Sequence, residues 1–151
     1  MRLYIILLIL SLFSCSQQYI PFSNAGPLLV MKRTACYGTC PQYTISIYNN
    51  GLVRYNGKMF VDKIGCFESS LSDKLINNIK LELNNVQFFT FQNEYDAHVT
   101  DVPSIILQVS LKGKKHEVID RFNGPLELKR VHKMIDDIVD SLEEWNQCEL
   151  E

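Results

Sequence analysis

The stretch Gln42-Tyr43-Thr44-Ile45-Ser46-Ile47-Tyr48-Asn49-Asn50-Gly51-Leu52-Val53-Arg54-Tyr55 decides the fold. Tyr43, Ile45 and Ile47 alternate with Thr44, Ser46 and Tyr48, the period of a strand with one buried face. Asn50-Gly51 tolerates positive φ and predicts a tight turn, with Leu52 to Tyr55 as the returning strand. Asn56-Gly57 is a second signal of the same kind, so a further strand is expected from about Met59 to Phe67. In front of the stretch, Leu28 to Arg33 reads as a first strand. The three strands joined by these two tight turns make an antiparallel meander.

Outward toward the C-terminus the period changes. Ser72 is placed to cap a helix, with Leu71 and Ile76 at hydrophobic-staple spacing. Leu75, Ile76, Ile79 and Leu83 form its apolar stripe. Val86 to Phe91 is an aromatic-rich return, with Phe88, Phe89 and Phe91 expected in the core. Ile105, Leu107, Val109 and Leu111 alternate on one strand, Lys112-Gly113-Lys114 turns the chain, and Lys115 to Arg121 pairs back. Pro125 is expected at the first position of a last helix. Its face is Leu128, Val131, Ile135, Ile138, Leu142 and Trp145. The order is β-β-β-β-α-β-β-α. The expected fold is α+β, an antiparallel sheet built from hairpins with two helices packed on it.

Outward toward the N-terminus lies a different kind of segment. Met1-Arg2 precedes an apolar run from Leu3 to Leu10, too short to span a bilayer. It fits the hydrophobic region of an export signal. Leu12-Phe13-Ser14-Cys15 resembles a lipobox, so residues 1–14 are expected to be a cleaved signal and Cys15 the lipidated first residue. Residues 15–27 then read as a tether and residues 28–147 as one α+β domain. Lipid chains on Cys15 would hold the protein to a membrane. Ser16-Gln17-Gln18-Tyr19 carries no acidic pair of the kind that resembles a surface-export tag, so a periplasm-facing place at the outer membrane is expected. Hydrophobic residues make up 46% and charged residues 21% of the chain, and the net charge is −2. That balance suits one globular domain and shows no basic run for nucleic acid.

From Arg33 onward the chain resembles a family of exported bacterial domains of unknown function. The resemblance is carried by Arg33-Thr34-Ala35-Cys36-Tyr37-Gly38-Thr39-Cys40-Pro41-Gln42-Tyr43 and Gly51-Leu52-Val53-Arg54-Tyr55-Asn56-Gly57. It continues in Val99-Thr100-Asp101-Val102-Pro103-Ser104 and Asp120-Arg121-Phe122-Asn123-Gly124-Pro125. It implies a domain extent and a set of residues, not a reaction. Cys66 and Cys148 stand outside its pattern.

With Cys15 lipidated, four cysteines remain. Cys36 and Cys40 are near neighbours across Gly38 and are expected to pair, leaving Cys66 for Cys148. Three readings of Cys36 and Cys40 stand open: a structural disulfide, suited to an oxidising compartment, a redox pair, and part of a zinc site. A redox pair normally sits at a helix N-terminus, whereas a strand follows here. A zinc site needs further ligands, and His98, His116 and His132 show no ligand spacing. His132 reads as a partly exposed helix residue, and Asp136-Asp137 and Glu143-Glu144 as the wet side of the last helix. Asp101 is expected to fix a turn before Pro103. It and Thr100 otherwise join Tyr37, Gly38, Tyr43 and Arg121 in a polar recognition patch beside the disulfide loop, with Arg121 a candidate ion-pair partner of Asp101. Glu94, Asp96, Asp101 and Asp120 do not establish a catalytic carboxylate pair by spacing alone.

These observations favour a non-catalytic envelope module, without a cofactor, that binds a peptide, a protein or a cell-wall component. The alternatives are an enzyme, either a thiol oxidoreductase using Cys36 and Cys40 or a hydrolase using Asp101, and a structural assembly subunit.

Overall fold

The computed structural model describes residues 26–96 and 100–149. The expected signal, Cys15, most of the tether and His98 lie outside the described residues. Among the described residues, eight strands and two helices follow in order. The first four strands are β1 (Leu29–Arg33), β2 (Gln42–Ile47), β3 (Leu52–Met59) and β4 (Gly65–Ser70). Helix α1 (Asp73–Asn85) and a 3-10 turn (Phe88–Thr90) come next. Then follow β5 (Glu94–Tyr95), β6 (Ile105–Leu111), β7 (Lys114–Asp120), α2 (Leu126–Asp140) and β8 (Asn146–Cys148). They form one mixed α+β unit with a single sheet in the order β5-β7-β6-β1-β2-β3-β4-β8.

Alternation puts Leu29 and Met31, Ile45 and Ile47, Val53 and Tyr55, Leu107 and Val109, and Val118 on the same face. Against these pack Ile76, Ile79 and Leu83 of α1 and Leu128, Val131 and Ile135 of α2. Phe88 is fully buried with them, and Phe89 and Phe91 pack partly buried at the margin. Both helices therefore cover one face of the sheet.

Local chemistry accounts for the junctions. The Ser72 hydroxyl accepts from the Leu75 N–H at 3.4 Å, and Leu71 and Ile76 are buried beside it. Gly51 closes the β2–β3 turn at φ 88°, and Lys112 and Gly113 close β6–β7 at 51° and 74°. Positive φ at both central residues matches the right-handed twist of a two-residue hairpin.

Several expectations change. The sheet is not wholly hairpin-built, because β5 pairs with β7 in parallel. Asn56-Gly57 is not a turn: β3 runs through it, and the chain reverses over residues 60–64, with Phe60 at φ 55°. A Cβ on Gly57 would overlap the Lys63 carbonyl oxygen, so this glycine serves a close backbone approach. Pro125 is the N-cap of α2, one residue before its first helical position. The aromatic-rich return after the first helix contains a 3-10 turn at Phe88–Thr90.

The last helix stops at Asp140, so Leu142 and Trp145 do not continue its face. Asp136, Asp137 and Asp140 crowd its C-terminal turns, where the helix dipole disfavours negative charge. Ser141 closes the helix, its hydroxyl donating to the Ile138 carbonyl at 2.7 Å. The Trp145 indole N–H donates to the Leu142 carbonyl at 3.0 Å, and both side chains reach the core by folding back. The chain then joins the sheet edge as β8, which ends at Cys148, one residue past the expected domain end. Cys148 lies directly opposite Cys66 on β4, at disulfide distance with Cα atoms 5.1 Å apart.

Gly57→Ala is expected to lower the unfolding free energy by about 3 kcal/mol, the range of backbone overpacking. A urea titration at unchanged slope checks this. A shift below about 0.5 kcal/mol would mean the β3–β4 approach is not tight.

Candidate functional site

Arg33 and Tyr43 end the helix-facing rows of β1 and β2 and stand directly opposite each other. They continue the Leu29-Met31 and Ile45-Ile47 positions, but here the sheet runs out from under the helices and the side chains turn polar. The last turns of α2 bring Asp136 over them. One Asp136 oxygen accepts from the Arg33 guanidinium Nη2, and the other accepts from the Tyr43 hydroxyl at 2.6 Å. The same hydroxyl accepts from Arg33 Nε at 2.7 Å. The three groups close a ring of charge-assisted hydrogen bonds at about one-quarter side-chain exposure for Arg33 and Asp136, 27% and 25%.

Burial pushes the Tyr43 phenol well above its ordinary range, and the bond to Asp136 pushes it further, so Tyr43 stays neutral. Burial works against the Arg33 charge, but the hydrogen bond to Asp136, the Asp136 charge and the hydrogen bond to Tyr43 outweigh it, and its pKa rises. Both Asp136 oxygens are thus engaged within the protein.

Beside this ring opens a groove of about 530 Å³, walled by residues 60–63, the end of α2 and the Leu142–Trp145 segment. A row of rings lies along it. Tyr43 and Tyr55 have centroids 5.5 Å apart, and Tyr55 meets Trp145 edge-on at 5.8 Å. Lys63 Nζ lies 5.9 Å from the centre of the Trp145 ring. Asp62 and Asp140 complete the charged lining with Arg33, Lys63 and Asp136. Tyr55 is 7% exposed. Burial raises its pKa, and the Asp62 and Asp140 charges add to the rise.

The residues singled out in the sequence divide between two places. Cys36 and Cys40 lie at disulfide distance, Cα atoms 5.8 Å apart, in the β1–β2 loop. The Tyr37 N–H donates to the Asp101 carbonyl at 3.3 Å, which brings Tyr37 and Gly38 beside the Thr100-Asp101 segment. Asp101 sits at φ 68°, and Tyr37 is 91% exposed. Arg121 stands one step away, donating to Ser104 Oγ at 3.3 Å, with its nearest carboxylate Asp96 at 3.8 Å rather than Asp101. Tyr43 belongs to the groove instead, while Pro41 leads the disulfide loop into the groove wall.

Two helix residues correct their sequence reading. Asp136 is not on a wet face but locked to Arg33 and Tyr43. His132, one turn earlier, is buried at 3% exposure, its Nε2 without a hydrogen-bond partner among the described residues. Its Nδ1 lies 3.8 Å from Asp120, itself buried and accepting the Gly124 N–H at 3.1 Å. Arg33, Asp62, Lys63, Asp136 and Asp140 were absent from the sequence-based patch. A carboxylate on a helix's last turns and an arginine closing a strand's apolar row are the signals that could have found the central pair.

Residues 27–139 match the family described as a domain of unknown function, DUF6438, and the chain belongs to that family. No curated protein matches the chain.

Burial, reinforced by the Arg33 charge and opposed by Asp136, pulls the His132 pKa from 6.5 to about 4. The unfolded chain takes up this proton near pH 6.5 and the folded chain only near pH 4. The stability due to a neutral His132 is therefore complete above pH 6.5 and declines as pH falls through that window, by up to about 3 kcal/mol. Urea midpoints measured from pH 7 to pH 5 should fall in the natural chain and flatten in His132→Leu. Parallel curves for the two proteins would contradict a buried neutral imidazole.

Proposed function

We propose that this chain is a non-catalytic binding module of the bacterial cell envelope, which captures an extended peptide, protein segment or cell-wall component in the aromatic groove. The groove and its row of three rings carry the reading. Ring faces give large contact area at little conformational cost, and a few fixed polar groups set orientation. The Arg33–Tyr43–Asp136 ring favours binding over acid–base chemistry, since its carboxylate is fully engaged and its phenol is held neutral. The strand that follows Cys40 likewise favours a structural role for the Cys36–Cys40 pair, which shapes the loop behind the groove wall.

In the same proposal Cys15 carries the lipid and residues 16–27 the tether, facing the periplasm from the outer membrane. The fold supports this arrangement. The chain enters β1 at Leu29, and the groove begins at Arg33, at the other end of that strand, roughly 15 Å away. A tether leaving at Leu29 would point the groove away from the membrane. The module needs no cofactor and no nucleic acid in this reading.

Two measurements test it. An alkyne-palmitate label should enter the natural chain and be absent from Cys15→Ser, which should leave the membrane fraction. Trp145 is the single tryptophan, so its fluorescence reports on the groove alone. Digested cell-wall fragments and envelope peptides should shift it saturably in the natural chain, with at least tenfold weaker binding in Tyr43→Ala. A flat response across both sets of probes would sink the binding reading.

A further inference from the structure

The groove lining carries five charged side chains: Arg33, Asp62, Lys63, Asp136 and Asp140. Arg33 and Asp136 neutralise each other. The remainder is one ammonium, Lys63, against two carboxylates, Asp62 and Asp140. Beneath them Tyr55, 7% exposed as a whole, lines the groove, and its hydroxyl reaches solvent there without a hydrogen-bond partner among the described residues. A neutral phenol both donates and accepts, so its oxygen can take a hydrogen bond from a ligand N–H while its O–H faces a carboxylate. Trp145 adds a ring face whose present company is the Lys63 ammonium.

We infer that the groove recognises a primary ammonium group, a lysine-type side chain or free α-amine of a peptide, which displaces Lys63 and seats beside Trp145, Tyr55, Asp62 and Asp140. The inference rests on the binding-module reading and names the group bound. Each part of the site suits an ammonium. Its three N–H donors match the Tyr55 oxygen and the two carboxylates, and the indole face attracts a cation through its quadrupole. A hard divalent ion would use the carboxylates but gain nothing from the rings. An anion would meet Asp62 and Asp140. Lys63, on the β3–β4 turn at residues 60–64, is the groove's own stand-in for the ligand and competes with it.

The test uses the full chain in mild detergent, with acetyl-Ala-Lys-Ala-amide and its Nε-acetylated counterpart as probes and Trp145 fluorescence as readout. The lysine peptide should bind saturably, and acetylation should weaken it at least tenfold. Asp62→Asn with Asp140→Asn should weaken it at least tenfold, and Tyr55→Phe at least threefold. Lys63→Gln should tighten binding severalfold, a gain that no loss of folding imitates. Equal binding of the two peptides overturns the inference, as does silence from the lysine peptide in both the natural chain and Lys63→Gln. If non-amine cell-wall fragments still shift Trp145 in that case, the binding module stands and only its amine specificity falls.

Discussion

A sheet that is apolar on one face must cover that face, and here two helices of 13 and 15 residues do so. Everything else in the molecule follows from how far that cover extends. Over Leu29, Met31, Ile45, Ile47, Leu107 and Val109 it is complete, and these side chains are essentially shielded from water. At the far ends of β1 and β2 the helix stops at Asp140 and the cover thins. The rows that supplied Met31 and Ile45 there supply Arg33 and Tyr43, and a groove opens where a core would otherwise close.

The ring formed by Arg33, Tyr43 and Asp136 holds that boundary in place. Asp136 and Asp140 sit where a helix least tolerates anions. The Arg33 guanidinium offsets this for Asp136, and the Tyr43 hydroxyl takes up the second carboxylate oxygen. Removing one member would leave a partly buried charge without its partner, which costs more than the intact ring contributes. The arrangement thus fixes the end of α2 against the sheet and leaves the neighbouring aromatic rings with a rigid backing.

How much of this was legible in the sequence depended on range. The Asn50-Gly51 and Lys112-Gly113 turns, the Ser72 cap and the alternation in β2 and β6 were readable because their causes lie within a few residues. Gly57 misled because the same residue that permits a turn also permits backbone contact, and only the approach of Lys63 tells which. Leu142 and Trp145 keep helical spacing yet reach the core from a folded-back segment, so periodicity could not separate the two. The short strands β5 and β8 have two and three residues, below the length at which any period shows. The groove was hidden for another reason. Arg33 and Asp136 are 103 positions apart, and Asp136 sits in a pair that reads as solvated surface. His132 was misjudged likewise, since its burial is set by the sheet beneath it.

The place of β1 has a mechanical consequence. It is the first strand among the described residues, yet it lies inside the sheet, bonded along its length to β2 on one side and β6 on the other. Tension drawn along the residues before Leu29, with the rest of the domain held, would load both ladders in shear, so their bonds would resist together instead of unzipping one at a time. A domain pulled from that end should yield only at high force, while the same pull applied through the edge strand β8 would fall first on a short ladder and the Cys66–Cys148 link.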